Sequence, residues 1–301
     1  MSSLKSLKIN FKTNKMKKTA SLILILSLFI CTTAYNQEND LEEENLKGNV
    51  KSVKQTSYVA VDKFGEISKG KKKRSNISRT IDFYSNYDDK GNSIEKVTYK
   101  SDGSFRYKYT YKYDDKGNKT GINRYNADGS LNSVFTSKYD SKGNKIEKII
   151  FIVSENSNFK STYKYDDKGN EIERIDYNPD ASKSGKYTSK YDSKDNMIER
   201  VDYYGGGSLS SKDTNKYDAK GNVIELNSYS SDGSFSFKRT YKYDDKGNLI
   251  EDYYYNIDGS LNIKFKYTCK YEYDKINNWI RRIEFKNDIP KFIAEREIEY
   301  Y

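Results

Sequence analysis

Histidine is absent from this 301-residue chain, and only two cysteines occur. Without an imidazole the Ser-His-Asp and Cys-His nucleophile systems have no general base, and no His/Cys zinc set can be assembled. Carboxylates are plentiful, and two suffice for glycoside hydrolysis. Those that stand out, Glu147, Glu173, Glu199, Glu225 and Glu251, return every 26 residues. An active site is a singular place, whereas such a column beside Lys and Arg reads as a charge-pairing ladder, so no catalytic residue is expected. The Asp114-Asp115 and Asp166-Asp167 loops offer oxygen ligands for Ca²⁺, but each has few carboxylates, contains a Lys and lacks a spaced Asp-x-Asp-x-Asp set. No cofactor is expected. What remains is aromatic: 30 Tyr and 13 Phe. Tyrosine faces stack on sugar rings, and Tyr107, Tyr109, Tyr111, Tyr163, Tyr241 and Tyr267 are the candidate ligand-stacking residues. For each of them cross-strand packing is the competing reading.

The elements that must position these residues are repetitive. Tyr-Asp turns begin at Tyr87, Tyr113, Tyr139, Tyr165, Tyr191, Tyr217 and Tyr243, each 26 residues after the last, and a divergent copy follows at Tyr273. A period held this strictly marks stacked supersecondary units sharing one core. Between the copies lie Asp-Gly signals such as Ser101-Asp102-Gly103-Ser104 and Ser231-Asp232-Gly233-Ser234. Asp-Gly between alternating segments is hairpin chemistry, since Gly takes positive φ freely and Asp bonds its own following backbone. Asp195 and Asn277 replace Gly in two Tyr-Asp turns, and both residue types tolerate the left-handed region. Phe105, Tyr107, Tyr109, Tyr111 and Tyr113 share one face of an alternating segment while Arg106, Lys108, Thr110 and Lys112 share the other, the pattern of a strand. The unit is a β-hairpin.

The formal charge of +10 suggests polyanion binding until it is located. Six lysines and no acid fall within 1–34, so the rest is close to balance, and no nucleic-acid partner is expected. Lys71-Lys72-Lys73-Arg74 reads as a solvated loop tip. Met16-Lys17-Lys18 before the apolar run Ala20 to Ile30 has the parts of a secretory signal peptide, and Met16 is an alternative start. Two processing routes stay open: lipidation of Cys31 after Leu28-Phe29-Ile30, or cleavage after Thr32-Thr33-Ala34. The expected setting is extracytoplasmic, secreted or periplasmic and outer-membrane associated in a bacterium, with membrane attachment only through Cys31.

Domain organisation follows: residues 1–34 as signal peptide, 35–48 as an acidic linker, 49–84 as an N-terminal capping hairpin, 85–280 as hairpin repeats and 281–301 as C-terminal capping strands. Low hydrophobic content, 35%, and a mean hydropathy of −1.00 would suit a disordered chain, but the aromatics supply the missing apolar area. The expected fold is all-β, a long twisted or coiled single antiparallel sheet shaped as a coiled strip, a shell or a wide barrel, because twist accumulates over many strands. Both caps are expected to end in free edges, the last one blunted by Glu295, Arg296, Glu297 and Glu299.

The wording Tyr111, Tyr113, Asp114, Gly117 and Asn118, repeated over roughly residues 84–280, resembles the YD repeat of the RHS family. That resemblance implies hairpins of a sheet that spirals into a strip or partial shell, in exported proteins linked to toxin delivery, adhesion or carbohydrate binding. The functional expectation is an exported, non-catalytic module binding a cell-envelope or extracellular polysaccharide or protein. The alternative is a passive scaffold or shell component of a secreted or toxin-associated assembly, and a glycosidase is the third reading.

Overall fold

A computed structural model describes residues 39–72, 82–100 and 102–301, and at 263 and 264 the backbone only. The signal peptide, Cys31 and the second half of Lys71-Lys72-Lys73-Arg74 lie outside the described residues. The chain opens with a one-turn helix α1 (Asp40–Glu43), then β1 (Val50–Lys63), β2 (Glu66–Lys69), β3 (Phe83–Tyr87), β4 (Ser93–Tyr99), β5 (Phe105–Tyr113) and β6 (Lys119–Tyr125). It continues with β7 (Leu131–Tyr139), β8 (Lys145–Ile152), β9 (Ser157–Tyr165), β10 (Glu171–Tyr177), β11 (Lys183–Tyr191), β12 (Met197–Tyr204) and β13 (Leu209–Tyr217). The last elements are β14 (Val223–Tyr229), β15 (Phe235–Tyr243), β16 (Leu249–Tyr255), β17 (Leu261–Tyr273), β18 (Trp279–Lys286) and β19 (Ile289–Tyr300).

The Tyr-Asp turns are held by their aspartates. Asp114 Oδ1 accepts from the backbone N–H of Lys116 at 3.0 Å and of Asn118 at 2.8 Å, and Asn118 Nδ2 donates to Asp114 Oδ2 at 2.7 Å. Gly117 sits at φ +85°, and in the copies without Gly, Asp195 and Asn277 take φ 64° and 69°. That is the left-handed region the turn requires.

Behind each of these turns the ladder carries a bulge. Lys138 opposes Glu147 while Tyr139 opposes Lys145, which leaves Ile146 unopposed. Ile172, Ile198 and Ile224 occupy the same place in later hairpins, and all four project outward, exposed. The turn tyrosine of the next hairpin then binds a carbonyl beside the bulge. Tyr165 donates to the Lys145 carbonyl at 2.8 Å, Tyr191 to that of Glu171 at 2.8 Å and Tyr217 to that of Met197 at 2.7 Å. Each hairpin is thereby strapped to its predecessor by a hydroxyl that meets an acceptor the bulge leaves available.

A bulge in hairpin after hairpin strengthens the right-handed twist and bends the sheet the same way each time. The result overturns the expected open strip or partial shell. β1 pairs with β19 from Val53↔Ile298 to Val59↔Phe292, and on its other side with β3 from Ser52↔Asn86 to Gln55↔Phe83. The strands therefore close into an antiparallel barrel of 18, β1 and β3 through β19, while β2 pairs only with the far end of β1. Both ends expected as free edges are each other's neighbours. Closure satisfies the backbone N–H and C=O groups that two free edges would expose. The charged residues of β19 act within that ladder: Lys54 reaches Glu297 at 3.0 Å, and Arg296 Nε donates to Gln55.

Among the described residues the buried apolar side chains gather at the closure. Leu41, Leu46, Val50, Val53, Phe83 and Tyr87 form one buried cluster, with Ile298 against it. Ile293 and Ala294 of β19 are also buried, and Trp279 stacks under the Arg296 guanidinium at 3.7 Å.

Candidate functional site in the barrel lumen

Register decides what each face of the wall carries. Lys164 opposes Glu173 and Lys160 opposes Tyr177, so these share the outer face; Tyr163 opposes Arg174 and Ser161 opposes Asp176 on the inner one. The outer face carries a repeated ion ladder in which Glu147, Glu173, Glu199 and Glu225 are each held by two lysines and Glu251 by one. Glu147 lies 2.7 Å from both Lys138 and Lys160, and Glu173 lies 2.7 Å from both Lys164 and Lys186. Glu199 and Glu225 repeat the arrangement. Hydrogen bonds from Lys216 and Lys238 bring Glu225 down to about 2, and the equivalent bonds lower Glu147, Glu173 and Glu199. The ladder accounts for the 26-residue glutamate column. Among the described residues the outer wall therefore carries charged rows at the height where a lipid-facing barrel has an apolar band. Among the described residues no helix is long and apolar enough to cross a membrane.

The inner face is polar and aromatic. Tyr107, Tyr109, Tyr111, Tyr163, Tyr241 and Tyr267 all lie on it, opposite Thr98, Lys96, Ile122, Arg174, Asp252 and Lys286. All six are half-buried. The ring of strands is closed, so these tyrosines face its interior. An 18-stranded ring is of the size that leaves a channel when its cross-section is open. The turn tyrosines Tyr139, Tyr165, Tyr191 and Tyr217 share the inner face but are committed to their carbonyls. Burial raises Tyr139 and Tyr191 to about 12.

Cations that the sequence does not single out stand among these tyrosines. Lys148, Arg174 and Arg200 occupy one repeat position, 26 residues apart, on β8, β10 and β12. The Tyr187 ring lies between two of them, 4.0 Å from the Arg174 guanidinium carbon and 4.7 Å from that of Arg200. Asp176 and Asp202 hold these arginines at 3.2 and 2.8 Å. The signal was present in the sequence as a cation recurring in three successive repeats. It was masked because the outer face also carries cations at regular intervals.

One mouth of the lumen is occupied by the stretch expected as an acidic linker. Residues 39–48 cross the Tyr-Asp turn end, with Asn39 capping α1 and donating through Nδ2 to the Lys90 carbonyl. Asp40 accepts from Tyr113 at 2.6 Å, from Lys119 at 2.5 Å and from the Ser93 N–H at 2.9 Å. Burial opposes the Asp40 charge, yet Lys119 and these donors hold its carboxyl below the usual range. Glu44 accepts from Tyr87 at 2.9 Å and from Lys96 at 3.0 Å. The segment reaches the far turns through Asn45, whose Nδ2 faces the Lys246 carbonyl, and through Lys47, whose N–H donates to Asn278.

The Asp-rich turns are spent on their own backbones, as at Asp114, and no group of three or more His, Cys, Asp or Glu that could hold a metal ion occurs among the described residues. Cys269 is a free thiol of intermediate burial on β17. A small open pocket outside the barrel, where β2 reaches over β18 and β19, is lined by Thr56, Tyr58, Glu272, Arg281, Glu295 and Glu297. Its Arg281 is already paired with Glu272, and Lys69 with Glu295.

Neither a protein-family model nor a curated protein sequence matches the chain. Among solved structures it is similar to a porin-like protein from Bacteroides uniformis, at 9% identity and a TM-score of 0.44, over 83% of this chain and 98% of that one. It is also similar to the TcdB2-TccC3 structure, at 13% identity and a TM-score of 0.35, over 89% of this chain and 18% of that one.

Proposed function

We propose that this chain is an exported, non-catalytic binding protein of the YD-repeat type that takes an extracellular or cell-envelope glycan in its lumen. The observation that carries the reading is the difference between the two faces of one wall. Outside, the glutamates are each spent on two lysines of neighbouring strands, as Glu147 is on Lys138 and Lys160. Inside, tyrosine rings stand beside Arg-Asp pairs, an arrangement that offers apolar faces, donors and acceptors together. Sugars need all three, because a pyranose presents a C–H face and a rim of hydroxyls. The secretory pattern of the leader and the closed barrel both suit an extracytoplasmic setting.

The test is a glycan array probed with the purified protein, followed by titration of each hit against a Tyr107→Ala/Tyr109→Ala variant. These two rings are not among the hydroxyls that strap the hairpins, so the fold is expected to survive, as circular dichroism would show. Binding that drops at least tenfold in the variant supports a lumen site. An array without hits, together with no envelope partner captured in a pull-down, would end the proposal.

A further inference from the structure

The mouth already displays what kind of group the lumen recognises. Asp40 is held by a lysine and a tyrosine hydroxyl, Lys119 and Tyr113, and Glu44 by another such pair, Lys96 and Tyr87. Residues 39–48 thus sit in the opening as an internal carboxylate ligand. Beyond them the inner wall carries further cations. Lys145 opposes Tyr139, its Nζ 5.9 Å from the ring centre. Lys148 lies 5.5 Å from the Phe135 ring. Among the described residues no carboxylate comes within ion-pair distance of either lysine. Glu43 and Glu171 act on Lys145, and Asp176 on Lys148, only from further off.

We propose that the track Lys145, Lys148, Arg174 and Arg200, with Tyr163 and Tyr187 between its cations, binds the carboxylates of an acidic polysaccharide that enters by displacing residues 39–48. This inference rests on the reading of the lumen as a glycan site and names the class of glycan. Spacing favours a regular polymer. Lys148, Arg174 and Arg200 sit at one repeat position on alternate strands, so they recur roughly every 10 Å along the wall. That is of the order of two sugar units in an extended chain, which returns the same face and charge at each step. The Tyr163 ring among the cations favours a polysaccharide over an acidic peptide, since a pyranose offers a C–H face beside its carboxylate. Burial, and then repulsion from neighbouring cations, pushes Lys145 and Lys148 down from the ordinary lysine range, and an incoming anion relieves that strain.

The experiment measures binding of an oligogalacturonate, a neutral maltooligosaccharide of equal length and a poly-glutamate to the purified chain by calorimetry. Hydrogen exchange at residues 39–48 is followed in parallel. The expected result is binding of the oligogalacturonate that weakens at least tenfold in Lys145→Gln/Lys148→Gln and strengthens severalfold in Glu43→Gln, with faster exchange in the segment once ligand is bound. Melting curves of the variants separate loss of a site from loss of the fold. Equal binding of the neutral oligosaccharide, unchanged by the lysine variants, would overturn the acidic specificity while leaving a glycan lumen intact. Poly-glutamate binding as tightly would overturn the choice of polymer. Binding to no saccharide at all would remove the underlying reading as well.

Discussion

The closure and the repeat wall are built from the same antiparallel pairing but are stabilised differently. At the closure, where β1, β3, β18 and β19 meet residues 39–48, buried aliphatic and aromatic side chains pack as in an ordinary core. Along β4 to β17 there is scarcely a fully buried apolar side chain. The wall is held instead by backbone ladders, outer Lys-Glu-Lys sets and the tyrosine straps. The difference shows how a chain of low hydropathy closes a large ring. It concentrates its apolar area at the one junction where the two ends must find each other, and it leaves the remaining inner surface free for polar and aromatic groups. An arginine is buried at the closure as well: desolvation brings Arg296 down to about 10 against the pull of the Glu44 carboxylate, and its guanidinium stacks on Trp279.

The sharpest way to break this contrast is at the closure. Ile293 is fully buried and is the register partner of both Tyr58 and Ile283. Ile293→Ala is expected to cost about 2–5 kcal/mol in urea unfolding. A cost no larger than that of a wall substitution would dissolve the distinction. Next in size is Gly205→Ala at the end of β12. A Cβ there would stand 1.8 Å from the Lys183 carbonyl oxygen, so the backbone must move. The expected loss is about 1–3 kcal/mol, read from the same denaturation curves. On the wall itself, Tyr165→Phe removes one strap to the Lys145 carbonyl and should cost only about 0.5–1.5 kcal/mol. Thermal melts comparing it with Ile293→Ala would give the ratio of wall to closure directly.

The smallest effect per residue is the outer ladder, and pH exposes it collectively. Glu225 is held at about 2, below its ordinary 4.5, and Glu147, Glu173 and Glu199 are lowered too. A carboxylate lowered in the folded state contributes stability above its unfolded pKa and loses it as pH falls toward the folded value. Stability should therefore decline between about pH 4.5 and 2, and the decline should shrink in a Glu147→Gln/Glu173→Gln variant. Because the lysines are exposed, added salt should weaken the ladder while leaving the closure unaffected. An acid transition unchanged by either treatment would mean that the ladder does not hold the wall.

Most of the local structure was legible. The interval from Tyr113 to Tyr139 to Tyr165 gave the repeat, Asp114 with Gly117 gave the turn, and alternation along Phe105 to Tyr113 gave two faces. The structure places the six candidate tyrosines on one face, the one turned toward the barrel interior. Alternation does not say which face is concave. Both faces carry aromatic columns, since Tyr177 and Tyr203 lie outside, opposite Lys160 and Lys186. The bulge that leaves Ile146 outside and frees a carbonyl for Tyr165 went unread, because an extra residue in one arm looks like ordinary strand in sequence.

The residues themselves determined the hairpin, its turns and its period, since these depend on φ preferences and on neighbours a few positions apart. Closure was decided only in three dimensions. Whether β1 meets β19 depends on how bend and twist accumulate over the whole ring, and Val53 and Ile298 carry no local mark of being partners. The same closure turned one tyrosine face inward and brought Asp40 and Glu44 from the start of the chain to the mouth of its lumen.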